Sequence, residues 1–248
     1  GGLQTINYTY NIRGSLIKVN DPANLGTNLF GYELKYYTPA STGTGKRSGN
    51  VEENRWKSAQ DGVLKKYTYQ YDTLNRLTSG VYAEPGAAQP KDNFYNEVLT
   101  YDLGGNISTL KRTGGGIGTT AQEIDDLTYV YDGNQLQTVT DAKNNPSGYP
   151  SGGGIYHHDL NGNMDRQNDK GISNIAYNLL DLPSTVTQTS GTIQYLYRAD
   201  DTKLKKTTSG GTTDYVDGFQ YENGVLKFVP TSEGYFNFEN NTYIYHYT

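Results

Sequence analysis

Between residues 67 and 82 the chain reads YTYQYDTLNRLTSGVY: aromatic and polar residues alternate, the alternation stops at Tyr-Asp, and it resumes at Leu77. A period of two marks a strand with one face toward a core, because successive side chains point to opposite sides of the pleat. The same arrangement recurs along the chain. Aligned on the aromatic residue before each break, the copies fall at Tyr10, Tyr71, Tyr101, Tyr131, His158, Tyr177, Tyr197 and Tyr221, with steps of 61, 30, 30, 27, 19, 20 and 24 residues. The shortest steps define a unit of about 20 residues, as in repeat architectures, and the longer steps carry insertions. Two positions before each anchor stands another apolar residue: Tyr8, Tyr69, Leu99, Tyr129, Tyr156, Ile175, Tyr195 and Phe219.

The breaks share a chemistry. After the anchor come Asn11, Asp72, Asp102, Asp132, Asp159 and Asn178, with Arg198 and Glu222 as exceptions. Asn and Asp there bond the backbone two residues on and start a turn. Four positions after the anchor stand Gly14, Asn75, Gly105, Gly162, Asp181 and Asp201, the residue types that best tolerate a positive φ. In the shorter copies Asn134 and Gly224 are expected to take that role. An apolar residue then returns at Leu16, Leu77, Ile107 and Met164, and at Leu136 and Leu226 in the shorter copies. Each unit therefore reads as strand, tight turn, strand, and the chain as consecutive antiparallel β-hairpins.

The 61-residue step contains NLFGYELKYYTP, which alternates like a strand, the loop ASTGTGKRSGN, and VEENRWKS as the returning strand. This predicts an inserted hairpin over residues 28–60, with Trp56 as a packing anchor, inside one repeat domain spanning 1–248. Gly/Ser/Thr-rich pieces at 113–120, 144–154 and 207–213 read as loops between hairpins. No segment sustains a 3.6-residue apolar period, so almost no helix is expected.

Composition changes this picture in few ways. The hydrophobic share of 34% leaves out 30 glycines, and 24 tyrosines supply much of the apolar surface against one Met and one Trp. Such rings pack while keeping the hydroxyl bonded, and so many of them argue for a folded chain. A net charge of −5 without a basic stripe argues against a nucleic-acid partner, and no apolar run approaches the length of a membrane span. Zero cysteines exclude disulfides, thiolate metal sites and a Cys nucleophile. The chain opens GGLQ without Met, which reads as a piece of a longer protein.

The segments YDTLNRLTS, YDLGGNISTLKR and HDLNGNMDRQ resemble the YD repeats of the Rhs (rearrangement hotspot) family. The block from Asn28 to Trp56 is similar to a segment of Rhs-like proteins of Bacteroidetes. The resemblance covers nearly the whole chain. It implies large secreted or cell-surface bacterial proteins, among them polymorphic toxins and insecticidal toxin complexes, with related repeats in animal teneurins. In them the hairpins form a strip that spirals into a hollow shell, which in toxins encloses a C-terminal effector. The partners implied are the rest of the shell and that effector. The family's self-cleaving DPxG-type motif has no match here, nor is there a variable toxin segment.

Several segments glance at chemistry. STGTGKRSG (41–49) lacks the first Gly of a phosphate-binding loop and has Arg47 where Ser or Thr should follow. HHDLNGNMD (157–165) places Asp159, Asn161, Asn163 and Asp165 at alternate positions, as calcium loops do, but Met164 and Lys170 stand where Gly and Glu are required. His157 and His158 face opposite ways on a strand, and His246 lies in another unit, which argues against a zinc site. The acid pairs Glu52–Glu53, Asp125–Asp126 and Asp200–Asp201 are expected to be solvated charges, since glycosidase carboxylates must face each other across about 5–10 Å. No catalytic, metal or cofactor residue is therefore assigned.

The residues singled out are structural: Tyr10, Tyr71, Asp72, Asn75, Tyr101, Asp102, Gly105, Tyr131, Asp132, Asp159, Gly162, Tyr177, Tyr197 and Tyr221. The tyrosine rows admit two uses. One is cross-strand packing that fixes register, at roughly 0.2–1 kcal/mol per pair. The other is an exposed face that stacks on carbohydrate. The first makes the chain a non-catalytic shell segment, and the second a surface carbohydrate-binding or adhesion module. Open strand edges also predict self-association.

Overall fold

In the computed structural model the alternating runs are strands and the breaks between them are turns. The structure describes residues 5–36, 48–115, 118, 120–149 and 154–247. Packing divides the chain into two compact units, Gly1–Asn134 with Val139–Gly152, and Gln135–Thr138 with Gly153–Thr248.

The first series of strands is β1 (Tyr8–Tyr10), β2 (Leu16–Val19), β3 (Phe30–Lys35), β4 (Glu53–Ser58), β5 (Leu64–Tyr71), β6 (Leu77–Ala83), β7 (Glu97–Tyr101), β8 (Ile107–Gly115), β9 (Ala121–Asp132) and β10 (Gln135–Asp141). Each of these pairs antiparallel with its neighbour in sequence from β1 to β9, and β10 is bonded to β9. The second series is β11 (Gly154–His158), β12 (Met164–Gln167), β13 (Ile172–Tyr177), β14 (Pro183–Gln188), β15 (Gly191–Tyr197), β16 (Lys203–Thr208), β17 (Gly211–Val216), β18 (Phe219–Glu222), β19 (Val225–Thr231), β20 (Gly234–Glu239) and β21 (Thr242–Tyr247). Here too every strand pairs antiparallel with the next. The fold is all-β and made of consecutive hairpins. A single 3-10 turn, Asn168–Lys170, is the only helical element among the described residues.

The pair β3–β4 is in register from Phe30 opposite Ser58 to Lys35 opposite Glu53. Trp56 stacks on Tyr67 at 5.9 Å, and Tyr67 in turn contacts Tyr69 at 5.7 Å and Tyr82 at 5.4 Å. The loop 41–49 lies mostly outside the described residues.

Among the described residues few apolar side chains are enclosed: Pro22, Leu25, Tyr82, Phe94, Leu127 and Val139 in the first unit and Ile175 in the second. A sheet that meets no second layer over much of its area leaves most side chains half-covered, so backbone ladders and cross-strand rings hold the units together. Where the first unit is covered, the connection between β9's face and residues 142–149 is tight. A Cβ on Gly148 would run into the Ile124 carbonyl oxygen, so only glycine fits.

In the second unit, three hairpins close on two residues that both have positive φ: Asp217–Gly218 (48°, 89°), Asn223–Gly224 (49°, 81°) and Asn240–Asn241 (49°, 61°). Such turns follow the twist of the strands they join.

Candidate functional site: the Tyr-Asp turn and the tyrosine clasp

The turn after Tyr71 shows how the sequence builds the unit. The Asp72 amide donates to the Arg76 carbonyl (3.0 Å), and the Asn75 amide donates back to the Asp72 carbonyl (3.1 Å). One carboxylate oxygen of Asp72 accepts the amides of Leu74 and Arg76, each at 2.9 Å. The other accepts Arg76 Nε at 2.6 Å. Asn75 takes the left-handed corner with φ 63°. The register then slips by one residue between Gln70 and Tyr71, so that Tyr71 pairs with Leu77. This slip is a β-bulge, which accommodates the five-residue turn.

Five more copies repeat these bonds. Asn11, Asp102, Asp159, Asn178 and Arg198 each donate their amide to the residue four further on, and each accepts at its carbonyl from the left-handed residue. Those residues are Gly14 (φ 79°), Gly105 (92°), Gly162 (87°), Asp181 (55°) and Asp201 (67°). The side chains of Asn11, Asp102, Asp159 and Asn178 accept the amide four residues on at 2.9–3.0 Å. Arg198 has no acceptor, and Asp200 replaces it, taking the Thr202 amide at 3.2 Å and the Arg198 guanidinium at 2.7 Å. The register slips at Tyr10, Tyr101, His158, Tyr177, Tyr197 and Tyr221 as at Tyr71.

The shorter copies differ. After Asp132 the left-handed corner falls on Gly133 (φ 58°), not on Asn134. The earlier corner falls on the residue without a Cβ, where the conformation costs least. After Tyr221, Asn223 and Gly224 both take positive φ.

These bonds hold the Asp72, Asp102 and Asp200 carboxylates in the charged form. The backbone amide of Arg76, followed by its side chain, lowers the Asp72 carboxyl below the ordinary range. The Asn106 side chain, followed by backbone amides, does the same for Asp102. The Arg198 guanidinium keeps Asp200 far down. These acids are acceptors already engaged in turns.

The anchor tyrosines do something that the sequence pattern did not show. The Tyr101 hydroxyl donates to the Leu77 carbonyl at 2.6 Å, Tyr131 to Ile107 at 3.0 Å, and Tyr177 to Met164 at 2.6 Å. Each acceptor is the residue that pairs with an earlier anchor: Leu77 with Tyr71, Ile107 with Tyr101, Met164 with His158. Tyr36 and Tyr243, outside the anchor set, reach the equivalent carbonyls of Leu16 (3.4 Å) and Leu226 (3.2 Å). Tyr71 donates to Val51 at 2.6 Å. Each hydroxyl thus clasps one hairpin to the one before it. Burial is the main cause that raises the phenols of Tyr71, Tyr101, Tyr131 and Tyr177. Tyr69 is pushed up to about 12 by burial and then by its tyrosine neighbours.

A second link joins turn to turn. Arg76 donates to the Asp102 carbonyl at 3.0 Å and lies over the Tyr101 ring at 4.7 Å. Asn106 reaches the Asn134 side chain, and Asn163 that of Asp181, both at 3.2 Å. The tip residues between these links touch nothing: Ile12, Leu103, Leu160 and Leu179 are fully exposed, at 104–107%.

The other candidates resolve as follows. His157 bonds Asp165 through Nδ1 at 2.6 Å, and Asp159 and Asn163 are engaged in their turn. Among the described residues no group of three metal-ligating side chains converges. The acid pairs correct the expectation of solvated charges. Glu52 is 5% exposed, and Glu53 and Asp125 are wholly buried. The same strand and neighbouring strands supply cations that offset the desolvation of Glu53 and Asp125. Glu53 is held by Arg55 at 2.5 Å and Lys35 at 3.4 Å, and Asp125 by Arg112 at 2.6 Å. Only Asp200 and Asp201 are exposed as expected.

No known family model matches the sequence, and no curated protein matches it. Among solved structures, two that are similar in fold are crystal structures of TcdB2-TccC3-TEV and TcdB2-TccC3. The first gives a TM-score of 0.56 at 14% identity, over 98% of this chain and 14% of that one. The second gives 0.58 at 12% identity, over 94% of this chain and 13% of that one. The likeness is one of fold, and it takes in nearly all of the hairpin series while spanning a small part of either neighbour.

Proposed function

We propose that this chain is a stretch of wall from an Rhs-type shell, a non-catalytic scaffold of a large secreted or cell-surface protein. The observation that carries the reading is the clasp. Five hydroxyls, those of Tyr36, Tyr101, Tyr131, Tyr177 and Tyr243, bond an earlier strand through the same carbonyl position, a rule by which further hairpins can add. Its partners are then the rest of the shell and, where the parent carries one, an enclosed C-terminal effector. The likeness to TcdB2-TccC3 supports the wall role through fold. Electron microscopy of the whole parent protein tests it. A hollow particle with this series in its wall is expected, and a solid particle refutes the proposal. Strand edges at the ends of such a wall favour self-association; a single monomeric species at high concentration in light scattering contradicts that part.

The carbohydrate reading loses its broad basis. Most tyrosines are half-buried against neighbouring strands, and Tyr8, Tyr10, Tyr95 and Tyr243 are the ones that stand exposed among the described tyrosines. Of these, Tyr95 lines a groove beside the exposed carboxylate of Glu97.

A further inference from the structure

One carboxylate in the first unit is bonded in a way that neither the turns nor the clasps use. The Tyr82 hydroxyl donates to Glu84 Oε1 at 2.7 Å, and both side chains are buried, at 3% and 6% exposure. The hydroxyls of Tyr71, Tyr101, Tyr131 and Tyr177 end instead on backbone carbonyls, which are too weakly basic to take a proton. Tyr156 reaches the Asp169 carboxylate only at 3.4 Å. A base must lie within about 2.6–3.2 Å of the atom whose proton it takes, and of these pairs Tyr82–Glu84 meets that condition. Glu84 is fixed in place: its other oxygen accepts the Lys91 amide at 3.0 Å, and its own amide donates to Asp92 at 2.7 Å.

Tyr82 is also a link in a chain of rings. Trp56, the one tryptophan, lies 6.0 Å from it, and Tyr95 lies 5.0 Å from it. Trp56 is half-buried, whereas Tyr95 is 47% exposed. Rings in such contact exchange electrons directly. A phenol gives up an electron readily only when its proton leaves with it, because the oxidised ring makes the hydroxyl a strong acid. Burial, and then the Glu84 bond, raises the Tyr82 phenol, so the proton stays on the oxygen until the electron goes. Tyr67 stacks on Trp56 at 5.9 Å, but its hydroxyl ends on the Tyr95 carbonyl and finds no base there.

We infer that Tyr82 is a redox-active tyrosine that relays an oxidising equivalent from Trp56 to Tyr95 at the surface, with Glu84 as the acceptor of its proton. A one-electron oxidant, such as a peroxide-derived radical, takes an electron from Trp56, and the indole N–H proton passes to water. Tyr82 returns an electron to the indole, which regains a proton from water, while the Tyr82 hydroxyl proton moves to Glu84. Tyr95 then gives an electron to Tyr82, Glu84 hands the proton back, and the Tyr95 proton passes to water. A soluble enediol reductant such as ascorbate restores Tyr95 by giving one electron and one proton. The relay stands independently of the wall proposal, since it needs three rings and one carboxylate within a single unit.

The test is pulse radiolysis of the whole 248-residue chain, with azide radicals as the oxidant and absorbance separating the indolyl from the phenoxyl radical. First-order decay of the Trp56 radical with matching growth of phenoxyl absorbance, independent of protein concentration and slower in heavy water, is expected. Glu84→Gln keeps the shape and removes the base, so it should slow the transfer by about 10²-fold. Tyr82→Phe should slow it at least as much, whereas Tyr67→Phe should leave it nearly unchanged. Tyr95→Phe should slow the repair of the phenoxyl radical by ascorbate. Glu84→Gln decides the matter where Tyr82→Phe fails to fold, and the heavy-water effect on the unaltered chain needs no variant at all. Decay that depends on protein concentration, no slowing in heavy water, or an unchanged rate in folded Glu84→Gln overturns the inference. So does a loss in Tyr67→Phe as large as in Tyr82→Phe, or ascorbate repair unchanged in folded Tyr95→Phe.

Discussion

Replacing Tyr101 by Phe removes one oxygen atom and tests the clasp directly. The hydroxyl donates to the Leu77 carbonyl at 2.6 Å, and the ring keeps its place under Arg76. An intramolecular hydrogen bond contributes about 0.5–1.5 kcal/mol net, and stranding a desolvated acceptor costs about 1–3 kcal/mol. Tyr101 is only half-buried, so water can approach the freed carbonyl and the loss sits near the lower end, at about 1–1.5 kcal/mol. For a chain of this length that corresponds to roughly 2–5 °C in melting temperature. The double variant Tyr101→Phe/Tyr131→Phe should lose about 2–3 kcal/mol, with some coupling, because Ile107 accepts from Tyr131 and pairs with Tyr101. Urea unfolding followed by the fluorescence of Trp56, the only tryptophan, gives the assay, and the m-value should stay constant. Tyr8→Phe, at a ring 55% exposed, is the control and should change stability by less than about 0.5 kcal/mol. If Tyr101→Phe behaves like Tyr8→Phe, the hydroxyl does not fasten the hairpins and the reasoning fails.

Alkali should weaken the fold through the same groups. Their phenols are held neutral in the folded state, so the stability they contribute is complete below the unfolded value of about 10 and is lost as pH rises through the folded values. Since Tyr69 is pushed up to about 12, denaturant midpoints should fall between about pH 10 and 12, in step with tyrosinate absorbance. In acid the sign reverses for Asp72 and Asp102: their lowered carboxyls stabilise the turns above the unfolded value and release them as pH drops below about 4, which amide exchange at Leu74, Arg76 and Asn106 should report. At the left-handed corner, Asn75→Ala should cost about 1 kcal/mol in thermal melts while Asn75→Gly should be near neutral. Glu53→Ala should be the most damaging single change, at about 3–5 kcal/mol, because it leaves Arg55 and Lys35 without their shared carboxylate.

The turns were legible because their bonds are local. Asp72 reaches two and four residues along the chain, and a local bond leaves its mark as a fixed spacing in the sequence. The clasp was not legible in that way, since Tyr101 and Leu77 are 24 residues apart and Tyr177 and Met164 are 13 apart. A signal was present all the same. Seven of the eight anchors are Tyr and none is Phe, a choice that a purely apolar strand end does not require. The buried acids were hidden for a different reason. Glu53 takes its cations from its own strand and from β3, and Asp125 from β8, so their environment exists only once register is set.

Ile12, Leu103, Leu160 and Leu179 sit at turn tips whose every hydrogen bond is made by other positions. Such a residue is mechanically uncoupled from the hairpin that presents it. Within each unit adjacent hairpins are two strands apart, so the tips of successive hairpins there, such as Leu160 and Leu179, recur at a pitch of about 10 Å. The turn edge is therefore a ruled scale on which side chains, or whole inserted peptides, are exchangeable without retuning the scaffold, as exposed loop tips generally allow. Diversity at those marks is free to change while the frame that spaces them stays the same.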